Sequence, residues 1–214
     1  MVGVTEPDYS LAKIRVLEFD DSVRKRPGMY FGVGRDDPRL ATRVLCTVVG
    51  HAFHPATRVA ASHSPDVVAE ITADLVFSVT DDQADVLTGP GMPRLGYYDS
   101  LLTSERWSSA AAAAVSSQTT VEVWRHGHGY RQRLVGLRPV EPPAEFSAPV
   151  GAGTRVAFVL DPAYFGSAAI TTDIAGLDVH GPDCTDTTGS GTVVIRDHRE
   201  RRRTRAGRAS GTAR

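Results

Sequence analysis

The sequence predicts an α+β fold in which a mixed, mostly antiparallel sheet carries helices on one face. Strand-like runs stand in neighbouring pairs joined by short turns, which is typical of antiparallel hairpins. Residues 39–53 place apolar side chains at intervals of four, which indicates a helix with one broad apolar face. Hydrophobic residues form 41% of the 214-residue chain, which is enough for one packed core at this length.

The first half of the chain supplies a turn, the helix and a hairpin. Pro27-Gly28 predicts a turn, because proline and glycine both favour turn geometry. The helix over 39–53 is followed closely by a proline, which cannot continue it. Residues 66–72 and 75–81 alternate apolar and polar side chains, and the short gap between them predicts a hairpin.

The second half of the chain is richer in strands. Residues 108–118 contain five consecutive alanines, which predict either a small, closely packed helix or a degenerate spacer. Residues 119–127 and 129–136 predict a second hairpin that turns at Gly127-His128-Gly129. Residues 150–161 and 193–197 are again strand-like.

Charge and composition suggest three segments. Residues 1–20 are predicted to be an N-terminal arm, 21–195 the folded domain, and 196–214 an arginine-rich, disordered tail. The net charge is −1, although the tail alone carries eight arginines. Two cysteines lie far apart without metal-type spacing, and the apolar surroundings of Cys46 predict a buried thiol.

The N-terminus and the apolar runs argue against export and against a membrane span. The first ten residues lack the charged-then-apolar pattern of a signal peptide. No apolar run approaches the ~18 residues that a membrane span needs. A cytoplasmic protein without membrane contact is therefore expected.

The segment YSLAKIRVLEFDDSVRKRPGMYFG (9–32) resembles the N-terminal ATPase domain of the DNA gyrase B subunit and its topoisomerase IV relative, in the GHKL ATP-binding superfamily. Three later segments follow the family's order: FSVTDD (77–82), VEVWRHGHGYRQRL (121–134) and GAGTRVAFVLDPAYF (151–165). The resemblance covers about residues 9–200, without the family's second, transducer domain. It implies the two-layer GHKL sandwich as the fold.

The resemblance also implies which residues would line a nucleotide pocket. Asp81 matches the aspartate that accepts the adenine amino group's hydrogen bond. Gly153 and Thr154 match the Gly-Thr pair beside it, and Arg131 matches an arginine at the rim. Asp81, Thr154 and Arg131 also look like the residues with which the family binds aminocoumarin-type gyrase inhibitors.

The groups that the family uses for hydrolysis are missing. The family's helix carries a glutamate as general base and, one turn later, an asparagine that binds Mg²⁺. This chain aligns Thr47 and His51 with them, has no glutamate between Glu18 and Glu70, and contains no asparagine at all. SSAAAAAVSS (108–117) stands where the family has a glycine-rich phosphate loop. No catalytic or metal-binding residue is therefore predicted, Mg²⁺ is not expected, and any ATP binding is expected to be weak.

The leading hypothesis is a degenerate gyrase B-like GHKL domain that is catalytically inactive and acts as a binding or interaction module. One alternative is the ATP-binding domain of a type II DNA topoisomerase with residual nucleotide binding, and another is a decoy for an aminocoumarin-type inhibitor. The N-terminal arm would pair with a second copy or with a gyrase subunit. The arginine-rich tail (196–214) would make nonspecific contacts with DNA, because clustered arginines bind phosphates.

Overall fold

The computed structural model describes residues 17–53, 66–84, 86–87, 92–171 and 191–199. These residues form five α-helices and eight strands. The helices are α1 (Phe19–Lys25), α2 (Pro27–Phe31), α3 (Leu40–Phe53), α4 (Trp107–Ala114) and α5 (Pro162–Phe165). The strands are β1 (Asp66–Ala73), β2 (Val76–Asp81), β3 (Ser116–Arg125), β4 (His128–Val135), β5 (Arg138–Pro139), β6 (Ala144–Ser147), β7 (Ala152–Leu160) and β8 (Thr192–Asp197).

The strands form one mixed sheet in the order β5-β4-β3-β7-β2-β1-β8, with β6 also paired to β4. Among the described strands β8 runs parallel to β1, and every other pairing is antiparallel. The helices α3 and α4 both pack on this sheet, α3 against β1 and β2 and α4 against β3 and β7. The predicted α+β fold with a mostly antiparallel sheet is confirmed.

Both predicted hairpins are present. The first joins β1 to β2, and the second joins β3 to β4. The second turn consists of His126 and Gly127, so the predicted turn over 127–129 begins one residue too late and is one residue too long. Both turn residues have positive φ, 53° and 82°, which is the backbone of a type I′ turn. This geometry matches the twist of the flanking strands, and glycine adopts it without strain.

The helical layer is built on α3 and α4. The predicted helix over 39–53 is confirmed by α3, and its Cys46 side chain is buried as predicted. The alanine run forms the helix α4, in which Ala110–Ala114 are at most 2% exposed. Alanine is small enough for α4 to contact α1, α3 and the sheet at once. The packed-helix alternative is therefore the correct one.

The core lies between this helical layer and the sheet. Phe77 and Phe158 face each other on paired strands, and their rings stack with centroids 4.9 Å apart. The register places Ile71, Val121 and other buried apolar side chains on the same face. One face of the sheet is thus apolar and covered, whereas the other carries mostly polar side chains.

Pro27 does not form the turn that the sequence predicts. It is the first residue of the short helix α2, which ends at Gly32 with φ of +74°. Proline is tolerated there because the first N–H groups of a helix have no intrahelical acceptor.

The predicted segment boundaries stay predictions, and both fall within elements that the structure describes. The boundary expected after residue 20 lies inside α1, and the boundary expected after residue 195 lies inside β8. Beyond β8, the Arg199 side chain is only 7% exposed and donates hydrogen bonds to Asp197 and to the Ile170 carbonyl. Residues 1–16 and 200–214, which include most of the predicted arm and tail, lie outside the described residues, as does Cys184.

Candidate functional site

Asp81 and Thr154 lie side by side on neighbouring strands. Asp81 is the last residue of β2, and the antiparallel register pairs it with Thr154 of β7. Both are buried, with exposed fractions of 4% and 1%. Strand alternation places them on the helix-covered face, in line with Val79 and Val156. The structure therefore brings these two predicted site residues together.

The carboxylate of Asp81 forms a bidentate ion pair with Arg106. Arg106 Nη1 lies 2.7 Å from Asp81 Oδ2, and Arg106 Nη2 lies 2.9 Å from Oδ1. The two side chains are 10% and 3% exposed, so the pair is almost completely shielded from water. Two parallel N–H donors facing two oxygens form the strongest arrangement available to these groups. Both carboxylate oxygens are thus engaged by the chain itself.

The loop after β2 completes this network through the backbone of Gln83. Its N–H donates to Asp81 Oδ1 at 3.0 Å. Its carbonyl oxygen accepts from Arg106 Nη2 at 3.2 Å and from Thr154 Oγ1 at 2.6 Å. Asp81 and Thr154, two of the residues that the resemblance marked, are therefore bonded to the chain's own loop.

A second arginine holds the continuation of this loop. Arg125, at the end of β3, donates to the carbonyl oxygens of Leu87 at 2.8 Å and Ala84 at 3.1 Å. The loop side chains of Ala84, Val86 and Leu87 are buried. The loop is consequently bonded to β7 through Thr154 and to β3 through Arg125.

Gly153 is required by the packing of Trp124. A Cβ atom at Gly153 would lie 2.5 Å from Trp124 Cζ2 and 2.7 Å from the Asp81 carbonyl oxygen. Neither distance is compatible with a side chain, and the second neighbour is backbone that cannot move aside. The indole of Trp124, which is 8% exposed, thus occupies the space that this glycine leaves open.

Arg131 lies on the opposite face of the sheet from Asp81. The register pairs Tyr130, not Arg131, with the residue that faces Thr154. Arg131 is exposed, forms an ion pair with Glu122 at 2.6 Å, and its guanidinium lies 4.9 Å from the ring centroid of Phe146. The structure therefore turns Arg131 away from Asp81 and Thr154.

The two positions of α3 that the resemblance aligns with the family's hydrolytic residues carry no carboxylate. The Thr47 hydroxyl donates to the Arg43 carbonyl oxygen of its own helix at 2.8 Å. The His51 ring packs edge-to-face on Trp107, with ring centroids 5.3 Å apart. Within α3 no aspartate, glutamate or asparagine is present.

Comparison with known proteins supports the resemblance. No protein-family model matches the sequence. The chain is similar to the B subunit of DNA topoisomerase 4 from Caulobacter vibrioides, with 27% identity over 179 residues that make up 74% of this chain and 25% of that protein. It is similar to the corresponding B subunit from Bacillus subtilis, with 28% identity over 179 residues, 75% of this chain and 27% of that protein. The chain contains a gyrase B/topoisomerase IV-like GHKL domain. It spans about a quarter of the length of these curated relatives.

The RKRPGMY segment of the GHKL domain has a structural role through Arg24. This guanidinium donates to the Ala114 carbonyl at the end of α4 at 3.0 Å and to Asp161 at 2.8 Å. The hydrogen bond from Arg24 holds the pKa of Asp161 below its ordinary value. The guanidinium carbons of Arg24 and Arg35 also lie 4.7 Å and 4.8 Å from the ring centroid of Tyr164, whose pKa is raised by burial. Arg24 thus joins α1, α4 and α5.

Metal-binding and membrane-spanning features are absent from the described part of the GHKL domain. No group of three or more histidine, cysteine, aspartate or glutamate side chains is placed to hold a metal ion there. No helix in the same ranges is long and apolar enough to cross a membrane.

Sequence reasoning missed the residues that surround Asp81 and Thr154 in the GHKL domain. Arg106 is 25 residues from Asp81 along the chain, and nothing in the run SERW distinguishes it from a surface arginine. Gln83 takes part through its backbone, and Trp124 through its packing, so neither contact has a residue-type signature. Only the resemblance indicated Asp81, Gly153 and Thr154, and their binding role stays a prediction.

Proposed function

We propose that this chain is a catalytically inactive GHKL domain, a pseudo-ATPase that works as a binding or interaction module. The observation that carries the proposal is the chemistry of α3. The positions that the resemblance assigns to the general base and the Mg²⁺ ligand hold Thr47 and His51, and the chain contains no asparagine. A threonine hydroxyl cannot accept the proton of an attacking water as a carboxylate does, and imidazole is a poor Mg²⁺ ligand.

The expected loss of activity is large. Removing a general base lowers a rate by roughly 10²–10⁴-fold. Phosphoryl transfer depends mainly on positioning and on electrostatic stabilisation by metal and backbone N–H groups. The phosphate-loop position is occupied by α4, whose alanines are packed inside the domain. Three contributions to hydrolysis are therefore missing together, and ATP binding is expected to be weak and independent of Mg²⁺.

The proposed role is contact with another protein. The relatives are named as subunits of an assembly, topoisomerase 4, and the similarity covers three quarters of this chain. We propose that the partner is a topoisomerase B-type subunit or a second copy of this chain, engaged through the N-terminal arm. The proposed loss of catalysis is compatible with this role, because the described residues still form a buried hydrophobic core.

The test measures ATP hydrolysis by the chain and, separately, its association with other proteins. ATP hydrolysis by the purified chain with Mg²⁺ is compared with that of Asp81→Ala, which removes the carboxylate marked by the resemblance. We expect both proteins to show the same background rate. Turnover that disappears in Asp81→Ala would refute the proposal.

Nucleotide and inhibitor binding are measured separately by thermal shift, with ATP and with an aminocoumarin. A ligand at about 100 times its Kd stabilises the folded state by about 2.7 kcal/mol, which is readily detected. Sedimentation of the chain alone and mixed with a topoisomerase B-type subunit measures association. A chain that stays monomeric in both experiments would contradict the interaction role.

A further inference from the structure

We infer that Arg106 is an internal ligand that closes the site at Asp81, so that a molecule can reach this carboxylate only by displacing the Arg106 guanidinium. The inference deepens the proposed function, on which it rests, because it concerns the occupancy of the same site. The ligand that the site would accept in place of Arg106 is a planar group with two N–H donors in one plane, such as a guanidinium or an amidine.

The hydrogen-bonding capacity of the site is met from within the chain. The Asp81 carboxylate accepts two hydrogen bonds from Arg106 and one from the Gln83 N–H. The Gln83 carbonyl accepts from Arg106 and from Thr154. The contacts of the guanidinium with Asp81 and Gln83 lie in the fork geometry that distinguishes arginine from lysine. An incoming donor therefore finds these acceptors already bonded.

The elements around Arg106 hold it in this position. It is the last residue of the one-turn 3-10 helix Ser104–Arg106, which leads directly into the buried helix α4. The preceding residue, Glu105, forms an ion pair with Arg94 at 3.1 Å, and the Arg94 side chain is 49% exposed. Arg106 thus approaches Asp81 from the start of a buried helix, whereas Arg94 makes a single ion-pair contact at a more exposed position.

Displacing the guanidinium has a large cost. Breaking a buried ion pair by removing one partner leaves an uncompensated charge in a poorly solvated place. A competing ligand is therefore expected to bind the wild-type chain on the order of 10²–10³-fold more weakly than a chain without the Arg106 side chain. The prediction concerns affinity at the site and is separate from hydrolysis.

The test is chemical rescue of Arg106→Ala with methylguanidinium, using methylammonium at equal ionic strength as the non-planar cation. Arg94→Ala is the matched control, because it removes a nearby arginine whose ion pair is exposed. We expect methylguanidinium at about ten times its Kd to raise the melting temperature of Arg106→Ala by about 3–6 °C. No rise is expected with methylammonium, in the wild type, in Arg94→Ala, or in Arg106→Ala combined with Asp81→Asn.

A rise of the same size in the wild type or in Arg94→Ala, or no rise in Arg106→Ala, would overturn the inference. If Arg106→Ala does not fold, NMR spectra of ¹⁵N-labelled wild-type protein provide the second test. A buried, bidentate Arg106 gives separate, slowly exchanging Nη proton signals, assigned by their disappearance in Arg106→Lys. A single averaged, rapidly exchanging signal would refute the closed site. ATP turnover by the wild type that disappears in Asp81→Ala would refute the proposed function without affecting either of these readouts.

Discussion

Replacing Gln132 by leucine would remove the side chain that holds the loop before α4. Gln132 lies on β4, is 1% exposed, and points into the helix-covered side of the sheet. Its Oε1 accepts from the Leu101 N–H at 2.9 Å. Its Nε2 donates to the carbonyl oxygens of Asp99 at 3.2 Å and Glu141 at 3.1 Å. One amide therefore satisfies three backbone groups.

The loop depends on these bonds because its own backbone is unfavourable. Tyr98 and Asp99 adopt φ of 52° and 64°, which is uncommon for residues other than glycine. Leucine has a similar volume to glutamine, so the substitution tests hydrogen bonding more than packing.

The structure allows the cost to be estimated. The Leu101 N–H would be left buried without its acceptor, which costs about 1–3 kcal/mol. The other two carbonyl groups are only partly buried and can be rehydrated, so each lost bond contributes about 0.5 kcal/mol. We expect a total loss of about 2–4 kcal/mol in the free energy of unfolding.

Urea unfolding measures this loss, with the midpoint expected to fall while the slope m stays unchanged. The matched control is Arg133→Leu at the next position of β4. Arg133 is exposed and pairs with Glu141 at the surface, so this change is expected to cost less than about 1 kcal/mol. Equal destabilisation by the two substitutions would refute the reasoning, because the buried and the exposed position would then be equivalent.

Two further predictions concern packing and pH. Ala111→Leu inserts a large side chain into the buried face of α4, and we expect it to lower the free energy of unfolding by about 1–3 kcal/mol, measured by urea unfolding. Ala163→Leu, at an exposed position, is the control and should have little effect. Equal stability of the two variants would contradict the packing described for α4. The hydrogen bond from Arg199 lowers the pKa of Asp197 below its ordinary value of 3.8. The ion pair therefore contributes its full stability above pH 3.8, and this contribution is lost as the pH falls through the lower pKa of the folded state. Asp197→Asn should therefore reduce stability at pH 7 and flatten the dependence of stability on pH below about 4. Asp36→Asn, at an exposed position, is the control and should do neither. If unfolding at several pH values shows the same pH dependence in Asp197→Asn as in the wild type, the Asp197–Arg199 pair does not contribute to stability.

The local elements could be predicted because each depends on a short-range pattern. The apolar repeat of α3 and the alternation in β1 and β2 follow from which side of each element is buried. The prediction for Pro27 was wrong because proline is equally suited to a turn and to the first position of a helix. The choice between these two depends on whether the following residues find helical partners, which the dipeptide alone does not indicate.

The site could be predicted only in part. The resemblance marked Asp81 and Thr154 as pocket residues, and the structure places them side by side on paired strands, but their binding role stays a prediction. The resemblance put Arg131 at the rim of the pocket, and strand alternation turns its side chain to the opposite face from Asp81. A shift of one residue along a strand moves a side chain to the other face of the sheet, and a sequence motif does not determine that register.

By itself the sequence determined the fold class, the main helix and hairpins, and the absence of asparagine from the whole chain, since these follow from composition and local periodicity. Only the tertiary structure decided that Arg106 meets Asp81 and that Thr154 bonds the Gln83 carbonyl. These contacts join segments far apart along the chain, and they exist because the packing of α4 and the pairing of β2 with β7 bring those segments together. Long-range hydrogen bonds of this kind depend on the relative position of whole elements, which residue order does not specify.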